Sequence, residues 1–125
     1  MKLGTLFTIN AVVAVIFGLA FLLAPEILLS YYGAKLGIAG TLIGRFFGGT
    51  LIGYGLLTWL ARNAEASEAR NAIVTALFIS NAIGVMVALI GPVSGIVNAL
   101  GWSTVVIYLL FTIGYGYFQL SKPSS

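Results

Sequence analysis

Four apolar stretches, each about as long as a bilayer is thick, take up almost all of this chain, and only short polar turns separate them. A helix needs roughly 20 predominantly apolar residues to cross about 30 Å of hydrocarbon, so a chain of 125 residues holds four crossings and no soluble domain. Charged residues make up 7% of the sequence and mean hydropathy is +1.09, where an ordinary soluble domain carries roughly 25% charged residues. The pattern predicts an all-α fold: an integral membrane bundle of four transmembrane helices forming one domain over residues 1–125.

The first span is expected over about 3–23, close to 31 Å of helix at about 1.5 Å per residue. Met1-Lys2 ahead of it imitates a signal peptide, and Ala20 and Ala24 supply small residues, yet three further spans favour a retained first helix. Pro25 ends the span. From Pro25 to Gly33 the chain has proline and Glu26 suited to a first turn, an apolar middle and the pair Tyr31-Tyr32, which reads as a short interfacial helix. The second span covers about 38–60 and closes on Trp59 and Arg62. Ala61 to Asn71 is the one strongly charged stretch, a hairpin in which Ser67 is placed to cap the third helix. The third span, about 72–90, is expected to stop at Gly91-Pro92. A fourth helix starting at Ser103 would hold only 16 residues by Phe118, so its start is placed near Ser94 to Ile96 and its span at about 96–118, with Trp102 near an interface.

Orientation follows from the basic residues beside the spans. With the N-terminus inside, the cytoplasmic side collects Lys2, Arg62, Arg70 and Lys122 and the other side only Lys35, which predicts both termini in the cytoplasm. The expected location is a bacterial inner (cell) membrane, with lipids as the immediate partners.

Chemistry is excluded more firmly than function is assigned. There is no histidine and no cysteine, so the common ligands of haem, zinc and copper and all thiol redox chemistry are missing. No cofactor and no metal is expected. The net charge of +3 and pI near 9.5 do not make a nucleic-acid patch, because six basic residues are scattered over loops and termini. Of the three acids, Glu65 and Glu68 lie in the hydrated hairpin, and no nucleophile can be matched with a base, so the chain is not read as an enzyme.

The second helix carries the candidate sites. At about 100° per residue, Gly40, Gly44, Gly48 and Gly55 fall within an arc of roughly 80°, while Gly49 and Gly53 fall nearly opposite. Glycine lets helix backbones approach closely in lipid, so the two stripes fit either neighbours within the bundle or a docking face for another protein or copy. Arg45 is the one ionisable residue well inside a span, roughly 10 Å from the helix start. A charge there requires compensation, and Glu26 is the acid expected on the same side, as its structural partner. The alternative is a contact with an anion, a lipid phosphate or a substrate, since guanidinium makes forked bonds to such groups. Thr8, Asn10, Thr50, Thr75, Ser80, Asn81, Asn98 and Thr112 are read as hydrogen-bonding across helices, and Tyr31, Tyr32, Trp59 and Trp102 as interfacial anchors.

In size and helix count the chain looks like the small multidrug exporters, but their membrane glutamate has no counterpart between Leu3 and Leu23. It is similar in length to fluoride channels and lacks their phenylalanine-rich threonine-serine motif, Phe78 standing alone. Leu23-Ala24-Pro25-Glu26 and Gly44-Arg45-Phe46-Phe47-Gly48-Gly49 resemble the DoxX-like small bacterial four-helix membrane proteins over the first half of the chain. That resemblance implies an all-α membrane fold and brings no catalytic residues. Two functional readings stand: a non-enzymatic accessory or scaffolding subunit of a larger membrane complex, with other transmembrane subunits or copies of itself as partners, or a small oligomeric transporter or channel. A four-helix bundle leaves little room for a pore, so the second reading requires self-association.

Overall fold

A computed structural model describes residues 2–121. Its elements are α1 Leu3–Leu23, α2 Pro25–Tyr31, α3 Ile38–Ala61, α4 Glu68–Ser94 and α5 Gly101–Ser121, and no strand occurs among the described residues. They fall into two compact units, Met1–Asn63 and Ala64–Ser125. Three helices, α1, α4 and α5, are long and apolar enough to cross a membrane. The expected count of four is therefore not reached on length and composition. α3 has the length, at 24 residues, but its six glycines, three threonines and Arg45 dilute its apolar content.

In the first unit, α1 ends where Pro25 has no N–H to continue it. The Ala24 N–H closes the last turn on the Ala20 carbonyl, and Pro25 becomes the first residue of α2. α2 stops after two turns: Gly33 takes φ +73°, and the Ala34 N–H donates to the Leu29 carbonyl at 3.0 Å.

α1 and α3 run antiparallel and meet on a seam of small residues. A Cβ added at Gly18 would lie 2.9 Å from the Gly48 carbonyl oxygen, and one added at Gly48 would lie 2.6 Å from both the Gly18 carbonyl oxygen and the Leu22 nitrogen. One heptad away, a Cβ at Gly55 would lie 3.2 Å from the Ala11 carbonyl oxygen. A further heptad brings Gly4 against the Arg62 backbone. Gly4, Ala11 and Gly18 thus face Arg62, Gly55 and Gly48, a seven-residue repeat on both helices, which keeps one seam facing its partner. Leu6, Phe7, Ala14, Thr58 and Ala61 are buried in the same core.

In the second unit, the Ser67 hydroxyl accepts the Arg70 N–H at 3.1 Å and caps α4. The helix does not stop at Gly91-Pro92. It passes through both to Ser94, with Pro92 inside it and the Ala88 carbonyl left without the N–H that a residue other than proline would supply at 92. The stop is Gly95 at φ +78°, where the N–H groups of Gly95, Ile96 and Val97 converge on the Gly91 carbonyl.

α5 begins at Gly101 and not near Ser94 to Ile96. The side chain of Val97 packs against Gly91 and Gly101, and the Asn98 Oδ1 accepts the Leu100 N–H at 3.0 Å, so 95–100 form an ordered corner. The helix recovers its length at the other end, running past Phe118 to Ser121 for 21 residues. Val74, Leu77, Val105, Phe111 and Tyr115 make this unit's core.

Several polar residues expected to bond across helices turn back on their own. The hydroxyls of Thr8, Thr50 and Thr112 donate to the carbonyls of Gly4, Phe46 and Tyr108, and the Asn81 amide to that of Leu77. The carbonyl one turn back is always in reach of such short side chains. Thr75 does bridge, its hydroxyl donating to Gln119 Oε1 on α5 at 2.6 Å.

Candidate functional site

The break between α1 and α2 leaves carbonyls at the end of α1 with no N–H of their own helix to accept. Arg45 reaches one of them: its Nη1 donates to the Leu22 carbonyl at 2.7 Å. A cation at a helix C-terminus also meets the negative end of the helix dipole. Glu26, in the first turn of α2, instead accepts from the Thr41 hydroxyl at 3.2 Å. Neither of these two bonds is the expected Arg45–Glu26 pair. Each of the two residues joins α3 to the α1–α2 break through its own partner, one turn apart along α3, Arg45 taking a carbonyl that the end of α1 leaves free.

The arrangement predicts a specific pattern of coupling. Glu26→Ala and Thr41→Ala should be non-additive in stability, with an interaction of about 0.5 kcal/mol or more, whereas Glu26→Ala and Arg45→Gln, which share no partner, should add closely. Unfolding midpoints of the single and double variants in detergent check this, and the reverse pattern would restore the ion pair.

The two glycine stripes of α3 have different surroundings. Gly44, Gly48 and Gly55 lie against α1 or the α1–α2 break: a Cβ at Gly44 would lie 3.2 Å from Cβ of Pro25. Gly40 meets only Leu36. At Gly49 and Gly53 an added Cβ has nothing within 4 Å, and both are exposed between Leu42 and Phe46 on one side and Leu56 and Leu60 on the other.

Among the expected anchors, Tyr31 is exposed at the end of α2 and Tyr32 is its C-cap residue. Arg62 stacks its guanidinium 3.7 Å over the Trp59 ring while donating to the Trp59 carbonyl, a cation–π contact that the adjacency of the two residues hinted at without specifying. Trp102 lies in the first turn of α5, half exposed. Lys122, used in the orientation count, lies outside the described residues. No three acidic, histidine or cysteine side chains gather to hold a metal among the described residues.

What sequence reasoning missed is the role of the Leu22 carbonyl and of Thr41. The signal for the first was present: an arginine two helices from an Ala-Pro break has an orphaned carbonyl available to it.

No curated protein and no solved structure matches the chain. Residues 2–121 match the model of a family described as a domain of unknown function, DUF8292. With nearly the whole chain covered by that match, the protein belongs to the DUF8292 family.

Proposed function

We propose that the chain is a non-enzymatic integral membrane helix bundle, with α3 as its fourth span, that serves as an accessory or scaffolding subunit of a larger membrane complex. The observation that carries this reading is the outward face of α3. Gly49 and Gly53 are exposed with open space where a Cβ would be, flanked by exposed Leu56, Leu57 and Leu60. Lipid gains nothing from a bare glycine, whereas a second helix gains close backbone approach and dispersion contacts. α3 already uses the same device against α1.

Large exposed apolar residues on every long helix support the membrane setting. Ile79, Ile83, Met86, Val87 and Ile90 make a continuous exposed stripe on α4 that water would not tolerate. The inner membrane of a bacterial cell and a single domain over 1–125 belong to the same proposal. So does the DoxX-like resemblance, whose two motif stretches, 23–26 and 44–49, approach each other where Gly44 faces Pro25.

Mild detergent extraction from native membranes tests the role. Co-purification with larger membrane subunits, lost on Gly49→Leu, is expected; a discrete homo-oligomer with no other chain would favour the oligomeric transporter or channel instead. Orientation has its own test in a chain without thiols. Cysteines at Ser67 and Ser94 should label from opposite sides, Ser67 from the cytoplasm, and labelling of Ser67 from outside would reverse the topology.

A further inference from the structure

We infer that Arg45 holds the phosphate of a membrane phospholipid at the α1–α2 break, in the leaflet where α1 ends. The inference rests on the membrane reading above and is independent of the subunit role.

The depth of the guanidinium follows from two facts. α1 has 21 residues, about 31 Å at about 1.5 Å per residue, which matches the hydrocarbon thickness of about 30 Å. If α1 spans, its last turn lies at the hydrocarbon edge and so does the Leu22 carbonyl. Arg45 Nη1 is 2.7 Å from that carbonyl, so the charge sits at the same edge, where the phosphates of that leaflet begin. The start of α3 lies in the interface, and the arginine stem reaches up to the charge from deeper along the helix.

Charge complementarity selects the occupant. A guanidinium has five N–H donors and no acceptor, and the Leu22 carbonyl takes the one bond that Arg45 makes among the described residues. That carbonyl is neutral. Glu26, the near acid, accepts from the Thr41 hydroxyl, and the bond that Arg45 makes among the described residues goes to the Leu22 carbonyl instead, so the guanidinium keeps donors for an anion at the level of that leaflet's phosphates. A lipid phosphate supplies that anion and accepts two donors in a fork. Exposed Ile38, Leu42 and Phe46 beside Arg45 give the acyl chains an apolar wall, on the half of α3 nearer the break than Gly49 and Gly53.

The test uses the full chain purified in neutral detergent and titrated with dioleoylphosphatidylglycerol, read by mass spectrometry of protein released from the micelle and by the melting temperature. The same titration with dioleoylglycerol, which has the chains without the phosphate, and with inorganic phosphate separates the sources of affinity. Phosphatidylglycerol should bind and raise the melting temperature, and the other two should not. Arg45→Gln should weaken that binding about five-fold, the loss of one interfacial cation. Arg45→Lys, which keeps the charge and loses the fork, should fall between. Arg62→Gln should bind like the parent. If Arg45→Gln fails to fold, the graded loss in Arg45→Lys still decides.

Equal binding by the parent, Arg45→Gln and Arg45→Lys would overturn the site, as would a shift of the same size with inorganic phosphate. Disulfide cross-linking of two Phe46→Cys copies in phosphatidylglycerol bilayers would also overturn it, by placing protein where the lipid should be. Recovery of the chain in the aqueous fraction after carbonate washing would instead overturn the membrane reading itself, a failure distinct from lost lipid selectivity in a chain that stays in the bilayer.

Discussion

Gly48→Ala should loosen the first unit, while Gly49→Ala, one residue along the same helix, should leave it as stable or more so. At Gly48 the added methyl would lie 2.6 Å from two backbone atoms of α1, the Gly18 carbonyl oxygen and the Leu22 nitrogen. Backbone inside a helix cannot rotate away as a side chain can, so α1 and α3 must separate along their seam. Overpacking of this kind costs about 1–3 kcal/mol, and with rigid neighbours on two sides the upper end is expected. Alanine recovers up to about 1 kcal/mol through helix propensity, leaving a net loss of about 2 kcal/mol. At Gly49 the propensity gain stands alone, because nothing lies within 4 Å of the new methyl. Unfolding midpoints in a denaturing-detergent titration compare the two. Equal midpoints would mean that α1 and α3 do not meet at Gly18 and Gly48.

The largest loss in the second unit is expected from Tyr115→Ala. Tyr115 is 0% exposed, with its ring stacked on Phe111 at a centroid separation of 6.3 Å. Removing a buried aromatic ring costs about 3–5 kcal/mol in soluble cores. In a bilayer the transfer part shrinks, since lipid is as apolar as the core, but the lost dispersion contacts and the cavity remain. The low end, about 3 kcal/mol, is therefore expected. Tyr115→Phe keeps the ring and should keep most of the stability. The same detergent titration reads both, and a Tyr115→Ala variant that melts like the parent would remove this ring from the core.

Tyr115 also marks a boundary of what sequence reasoning reaches. Ile-Gly-Tyr-Gly occurs twice, at 52–55 and at 113–116. In α3 the second glycine, Gly55, is buried against α1 and Tyr54 is only half-buried; in α5 it is Tyr115 that is fully buried. Identical local sequence gives opposite facing because the partner helix decides which side is inside. Apolar residues all round each helix leave no amphipathic stripe to reveal it.

Breaks in the chain were more legible. Ala24-Pro25 ends α1 because proline lacks a donor, and this is visible in two residues. Gly91-Pro92 carries the same signal without the same outcome, since a helix stop depends on where the following glycine takes its left-handed turn, here Gly95. At the candidate site, Arg45 stood out by its charge, but its partner is a carbonyl that exists as a free acceptor only once α1 has ended. No side-chain inventory contains such a group.

The division into two compact units, each built from helices adjacent in the chain and joined by a short connection, bears on how the protein is made. Contacts within each unit close small loops, so the entropy of bringing partners together is low and pairing is fast. α1 and α3 can zip along their seam while the ribosome is still adding α4, at roughly 5–20 residues per second. The first unit can therefore be complete before the chain is released.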